Sequence, residues 1–417
     1  MPMMNWSGTV AFANTALHGP RTVNELRAIV SASTSCRVVG SAHSFSRIVA
    51  TTGALISLAD LPTRIEIDAA SSTVTVSSAT LYGELAIGLH AAGFALHNLA
   101  SLPHISVAGA CATGTHGSGI GNGPLSSSVA AVELVTASGD LVRLAHGDQD
   151  FPGAVVSLGA LGALTALTLR IEPTYEIAQH VFTGLPVHVA ATQLCEILAL
   201  GYSVSLFTSW GGDVFDQVWV KRRVDGGPID VALLLEGGAQ PSSRTMHPIA
   251  RMPADACTVQ QGVPGPWHER LPHFALAYMP SAGDEIQSEY FVASDHAADA
   301  MRAILAVRDV IRGPLLVSEI RAVAADDQWL SMSHERASVA FHFTWMSDVR
   351  LVMPAIAAVE AAIAPFAPRP HWGKVFSIDP TVVRSRYRMW NAACEVMTRL
   401  DPNGTFRNDF IRQHFMA

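Results

Sequence analysis

Apolar residues at Val23, Leu26, Ile29 and Val30 recur at the 3.6-residue period of an amphipathic helix, and Thr22-Val-Asn-Glu25 has the form of a capping box opening it. The pattern then shifts to short apolar or alternating runs at 37–39, 54–58, 65–67 and 74–76, each bounded by turn residues and predicting a strand. A second helix is predicted from about Leu81 to a stop at Gly93, and the runs 132–136 and 141–144 flank Ser138-Gly139 as arms of a hairpin. Pro173 closes an apolar run over 158–171, and beyond it charges, Trp and Tyr return, which places a domain boundary there. The second part predicts strands at 203–208, 217–223, 287–292, 315–322 and 337–345. Helices at 296–311, ended by Gly313, and at 348–364 are interleaved with them. Strands and helices without strict βαβ alternation predict an antiparallel sheet with helices on one face, so the class is α+β.

Charge patterning changes this picture at one place. No Asp, Glu, Lys or Arg occurs between Glu84 and Glu133, although His90, His97, His104 and His116 do. Such a stretch is neither solvated surface nor plain core. Glycines at 109, 114, 117, 119, 121 and 123 are expected to interrupt any helix or strand, and a second loop of small residues, Gly40-Ser-Ala-His-Ser44, follows the strand at 37–39. Two uncharged small-residue loops let backbone lie against a large, flat, phosphate-bearing cofactor.

Composition narrows the class. A chain of 417 residues exceeds the size at which one core keeps growing, so two domains are expected. A mean hydropathy of +0.28 raises the question of a membrane span, but the longest candidate, 352–367, contains Glu360 and is interrupted by Pro354 and Pro365. It reads as an Ala-rich helix of a soluble domain. The first residues carry neither a basic nor an apolar leader, so a cytoplasmic location is expected, and the chain is expected to be a monomer. Five separated cysteines without a CxxC pair predict no disulfide framework and no metal site. With a formal charge of −8, no basic footprint for nucleic acid is present.

Period-two geometry sorts the candidate chemistry. Glu319 and Arg321 share one face of a predicted strand, and His342 and Thr344 share one face of the next, opposite Phe341, Phe343 and Trp345. If those strands are neighbours, the four form one polar floor; the same pattern fits a solvent-exposed face with a surface ion pair. Arg369-Pro-His-Trp-Gly-Lys374 is a dense cluster of donors that alone reads as a loop, and His43 alone reads as a turn histidine. Other signatures fail. The glycines of 117–123 follow no predicted strand, as a dinucleotide fingerprint requires, and His268 and His273 are a near miss on HExxH with Pro272 between them. No GxSxG elbow or Walker loop occurs.

The stretches Gly-Ser-Ala-His-Ser-Phe (40–45), Ser-Leu-Pro-His-Ile-Ser-Val-Ala-Gly (101–109), Ala-Thr-Gly-Thr-His-Gly-Ser-Gly (112–119), Glu-Ile-Arg (319–321), His-Phe-Thr-Trp (342–345) and Arg-Pro-His-Trp-Gly-Lys (369–374) together resemble those of bacterial alditol (xylitol/sorbitol) oxidases. These are FAD flavoproteins of the vanillyl-alcohol-oxidase type, with a PCMH-like FAD-binding domain, and relatives of the aldonolactone oxidases. The resemblance runs from Asn5-Trp6 to the tail at 401–406. It implies an FAD domain over 1–173, completed by 375–417, and a substrate cap over 174–374. It implies FAD attached covalently through its 8α-methyl to His43, with the pyrophosphate held by backbone from Val38, Val39, Gly40, Ser41, Ala42, His43 and Ser44. Ser106, Gly109, Thr113, Gly114, Thr115 and His116 of the second loop would share that role, and Ser101 would sit beside the flavin. It implies Arg321, Lys374, Glu319 and His342 as catalytic residues, with Ser101 and Thr344 joining Glu319, Arg321 and Lys374 in substrate binding, and a small residue, Ala100, where dioxygen reaches the flavin. The implied activity is oxidation of a terminal polyol hydroxyl to the aldose with release of hydrogen peroxide. Alternatives are an aldonolactone oxidase, a dehydrogenase with another acceptor, or a carbohydrate-binding protein that keeps the fold without chemistry. Ala42 departs from the family, many members of which have Gly there; a methyl is tolerated unless the residue needs a positive φ.

Overall fold

The computed structural model describes residues 3–13, 17–250, 252–278 and 284–416. The Val23–Ala32 helix starts as expected, with the Thr22 hydroxyl accepting from the Glu25 amide at 3.1 Å, and it buries Leu26 and Val30. Beside it, Cys36–Val39 and Leu17–His18 pair in parallel with Ala54–Ser57, and the first of these strands runs directly into the 40–44 loop. A five-stranded antiparallel sheet follows, in the order Leu141–Ala145, Val129–Val135, Ala163–Arg170, Thr73–Ser77, Ile65–Asp68.

The uncharged stretch is more regular than its glycines suggest. Val107–Thr113 is a helix that contains Gly109, and Gly114 caps it in the left-handed conformation (φ +71°). Small residues explain this: Val107, Ala108, Ala110, Cys111 and Ala112 are all buried, and a Cβ on Gly109 would come within 2.8 Å of the Ser106 hydroxyl. The glycine serves close packing here, and the helix continues through it.

The second sheet has nine strands, antiparallel throughout, with Glu176–Pro186, Val214–Arg223, Ser203–Thr208, Leu315–Val323, Ser338–Met346 and Glu285–Ala293 adjacent in that order. Helices Val187–Leu198, Ala297–Ala306 and Val349–Ile363 bury their apolar stripes with one face of this sheet. The helix expected over 296–311 is two, because Val307 leaves helical geometry (φ −103°, ψ 11°) between Ala297–Ala306 and Arg308–Ile311. Val349–Ile363 matches the helix expected over 348–364 and runs through Pro354. The bond proline forfeits would have gone to the carbonyl of Arg350, in the helix's exposed first turn. By length and composition Val349–Phe366 is apolar enough to cross a membrane, yet Val352, Ala355, Ile356, Val359 and Ile363 pack into the sheet's core.

Beyond Lys374 the chain returns to the first half. Val383, Trp390, Ala393, Val396 and Met397 from Pro380–Ser385 and Trp390–Leu400 join the core built by Tyr82, Leu85, Val107 and Leu167. That core also takes in Ile177, Phe291, Val323 and Ala340, so the two sheets meet through packed side chains. The cavity described next lies at this junction.

Candidate active site

A cavity of about 610 Å³ is bounded on one side by the 38–45 loop and residues 100–116, and on the other by the polar face of the large sheet. That face is built by register. Glu319 lies opposite His342, which lies opposite Glu289 on the next strand, while Thr344 lies opposite Gln287. Glu285, Gln287, Glu289, Glu319, Arg321, His342 and Thr344 therefore point the same way, into the cavity. The face is buried, which rules out the reading as a solvated surface: Glu319 and Arg321 are each only 6% exposed.

Burying charge demands pairing, and the site supplies it. Arg321 Nη2 donates to Glu289 Oε1 at 3.0 Å, its Nη1 reaches the Ser101 hydroxyl at 3.4 Å, and its Nε lies 3.5 Å from Glu319 Oε1. His273 Nε2 is 2.8 Å from that same oxygen of Glu319, and His116 Nε2 is 3.0 Å from Glu289 Oε1. Burial alone would raise both carboxyls, but Arg321 and His273 around Glu319, and His116 and Arg321 around Glu289, hold them well below the ordinary range. Burial pushes His342 down to about 3 and His273 down to about 4, so both imidazoles are neutral.

Lys374 reaches the site from the Arg369-Pro-His-Trp-Gly-Lys segment, which is far from a free loop. Arg369–Pro370 pairs with Tyr290 and Phe291, the amides of His371 and Val375 donate to the carbonyls of Glu289 and Gln287, and Gly373 accepts from the Phe45 amide at 2.7 Å. Lys374 Nζ, over the Phe45 ring, meets Gln287 Oε1. A lysine only donates, so that contact fixes the amide's orientation. His342 Nε2, 3.2 Å from the same oxygen, then carries the proton, leaving Nδ1 as the basic nitrogen. Burial lowers Lys374 from the usual lysine value.

On the opposite wall the two small-residue loops touch. The Ser106 amide donates to the Ser41 hydroxyl at 3.2 Å, and a Cβ on Gly40 would fall 2.3 Å from the Ser106 hydroxyl, so only glycine lets them meet. His43 Nδ1 lies 3.0 Å from the Ser41 carbonyl, its ring stacks on Trp6, and its Nε2 is buried without a partner. Burial pushes this histidine down to about 4. Ala42 does adopt positive φ, +58°, so the methyl sits where glycine is preferred. Ala42→Gly is expected to stabilise the protein by about 1 kcal/mol, and a lower unfolding midpoint in that variant would show that the strain is compensated by packing.

Among the sequence-derived site residues, Ser101, Glu319, Arg321, His342, Thr344 and Lys374 share the cavity, and Val38, Val39, Gly40, Ser41, Ala42, His43, Ser44, Ser106, Gly109, Thr113 and Thr115 line it. Gly114 caps its helix against Met332 and is not a lining residue, whereas His116 lines the cavity with its ring paired to Glu289. Sequence reasoning missed Glu285, Gln287 and Glu289, although Glu-Ile-Gln-Ser-Glu carries the same period-two signal as Glu-Ile-Arg. It also set His273 aside as half of a failed zinc motif.

Comparison with known proteins fixes the family. An FAD binding domain model matches residues 15–145, and a D-arabinono-1,4-lactone oxidase model matches residues 282–414. The alditol oxidase of Streptomyces sp. (strain IKD472) is 47% identical over 411 residues, 98% of this chain and 97% of its own. The chain belongs to the alditol oxidase family. As a member of that family it is an FAD-dependent oxidoreductase. L-gulono-1,4-lactone dehydrogenase of Mycobacterium tuberculosis is 27% identical over 98% of each chain. Cholesterol oxidase from B. sterolicum, 13% identical, superimposes with a TM-score of 0.77 over 99% of this chain and 96% of its own, which establishes the PCMH-type fold. The FAD binding domain match, 15–145, contains both loops. No acceptor among the described residues meets the backbone N–H groups of Ser41, Ala42, His43 and Ser44, and the Ser106 hydroxyl and His43 Nε2 are buried and unpartnered. Backbone donors in uncharged loops can hold a pyrophosphate without a lysine clamp.

Proposed function

We propose that this enzyme oxidises the terminal primary hydroxyl of an acyclic polyol such as xylitol or sorbitol to the aldose, with FAD attached through His43 and dioxygen as final acceptor. The observation that carries this reading is the polar floor itself: carboxylate, guanidinium, imidazole, amide and hydroxyl groups on three adjacent strands face the small-residue loops across one cavity. An apolar alcohol would leave those groups unpaired, whereas a chain of hydroxyls pairs them in series. The streptomycete relative, named for alditol oxidation, supports the same class.

When bound, FAD supplies a two-electron acceptor whose reduced form passes the pair to dioxygen, giving hydrogen peroxide. The protein's own part is to prepare the hydroxyl. An unassisted hydroxyl has a pKa of about 16, like bulk water, so its oxygen must be stabilised as it gains negative charge. Arg321 and Lys374 are the cations placed for that purpose, and neutral His342, with Nδ1 free, accepts the proton. Glu319 and Thr344 accept from and donate to neighbouring hydroxyls, and Ser101, tied to Arg321, marks the terminal carbon's end. Ala100, 8% exposed on the cavity wall, leaves room for dioxygen.

Anaerobic mixing with a panel of polyols and aldonolactones tests the reading: bleaching by xylitol or sorbitol, with peroxide on readmission of air, is expected. Bleaching by lactones alone would replace it with an aldonolactone oxidase. The pH profile is a second check. Lys374 acts as a cation and burial lowers it, so activity is lost as pH rises through its pKa, and the alkaline limb falls below the position of an ordinary lysine. Lys374→Arg should move that limb upward out of the measurable range; an unchanged limb would assign it to another group.

A further inference from the structure

Lys221, in the Val214–Arg223 strand, is only 1% exposed and belongs to no role assigned above. Its Nζ meets three acceptors: the carbonyl of Leu271, the carbonyl of Pro272 at 3.3 Å and His273 Nδ1 at 3.2 Å. An ammonium has three protons and no lone pair, so three acceptors satisfy it completely. Two are carbonyls, which accept only, and the third proton therefore goes to Nδ1. A neutral imidazole that accepts at Nδ1 carries its own proton at Nε2, the nitrogen 2.8 Å from Glu319 Oε1. The ring has little freedom to turn, since Phe207 and Trp219 lie edge-on to it at 5.5 and 5.1 Å and its backbone amide donates to the Ser101 carbonyl.

We propose that Lys221 is a positioning residue for Glu319, acting through His273: it holds the imidazole as the Nε2–H tautomer, which donates to Glu319 Oε1 and leaves Oε2 to a substrate hydroxyl. The last step rests on the polyol reading above; the tautomer does not. No described residue donates to Oε2, while Oε1 is met by both His273 and Arg321. With the opposite tautomer a lone pair would face the carboxylate. Glu319 would then be held by Arg321 alone, and its ionised form would lose a charge-assisted hydrogen bond. The groups facing Lys221 are Glu319, Cys257 and Arg321 in addition to His273.

The test is long-range proton–nitrogen NMR on holoenzyme carrying nitrogen-15 histidine, with H273Q identifying the signals. Burial pulls Lys221 down to about 7, so pH 6 is the condition at which the amine carries its third proton while His273 is still neutral. The expected result is a single Nε2–H tautomer in the wild type and a mixture in K221M. An Nδ1–H tautomer in the wild type, or an unchanged signal in K221M, overturns the proposal, and the wild-type measurement decides it even if K221M does not fold. Kinetics give a second arm. Gln at 273 keeps a donor for Glu319 that needs no tautomer, so K221M should slow anaerobic flavin reduction about tenfold in the wild-type background and less than twofold in H273Q. An equal loss in both backgrounds would make Lys221 a mere staple for residues 271–273. If no polyol reduces the wild type, the functional reading falls and the tautomer result still stands or fails by itself.

Discussion

His43→Ala protein is expected to lose all acid-stable colour: precipitation in trichloroacetic acid leaves a white pellet, while the wild-type pellet stays yellow. The argument starts from burial. An imidazole adds to an electrophile only when neutral, and burial pushes His43 down to about 4, with the Lys374 charge acting the same way. At any pH above that value the ring is therefore a nucleophile, held between Trp6 and the Ser41 carbonyl with one nitrogen unpartnered. When bound, FAD would offer its 8α carbon as the electrophile such a ring requires, with dioxygen taking up the two electrons and two protons released as the C–N bond forms. The sign of the pH dependence follows. Attachment to apoprotein supplied with FAD should be independent of pH from about 5 upward and fail only as acid protonates the ring. A yellow acid pellet from His43→Ala would move the tether to another side chain. The variant should still bind FAD reversibly, because the backbone donors at 41–44 and the Gly40–Ser106 contact remain, and its unfolding midpoint should then rise with added FAD.

Much of this site was legible because strand geometry is periodic. Glu319, Arg321, His342 and Thr344 could be assigned to shared faces from spacing alone, and the structure places their strands side by side with Glu319 opposite His342. What spacing could not supply was which further strand lies beside them, so Glu289, the carboxylate that anchors both Arg321 and His116, went unread although its alternation is plain. His273 shows a different limit. It comes from an irregular segment, 271–275, with no period to read, and only the fold brings it to Glu319. The strand Glu176–Pro186 escaped because it is buried on both faces, with Gln179 inside and donating to the Val259 carbonyl, so hydrophobic alternation is absent. The Val107–Thr113 helix escaped because glycine was taken as a breaker where it serves as a spacer. The Trp390–Leu400 helix also went unread, although Trp390, Ala393, Val396 and Met397 carry a helical period and return the chain to its first core.

Arg321→Leu is expected to slow flavin reduction by polyol about a thousandfold or more while FAD stays attached. Removing one donor aimed at a developing oxyanion typically costs about 10²–10³ in rate. Arg321 does more than donate. It is the cation between Glu289 and Glu319, and without it two buried carboxylates face each other with only His116 and His273 as partners. Breaking a buried pair by removing one member costs about 3–5 kcal/mol, which the site would relieve by taking up a proton. The floor would then lack the cation and donors that stabilised negative charge on the substrate oxygen. The stability consequence has a definite sign: both carboxyls are depressed by their partners in the native state, so their contribution is present at neutral pH and is lost as pH falls. Arg321→Leu should therefore lose less stability than the wild type on acidification, and Arg321→Lys, which keeps the charge but not the fork of donors, should fall between the two in rate. Stopped-flow reduction under anaerobic conditions, with the visible spectrum confirming bound flavin, makes the comparison. A leucine variant that bleaches at the wild-type rate would remove Arg321 from the chemistry and leave it as a structural clamp for Glu289.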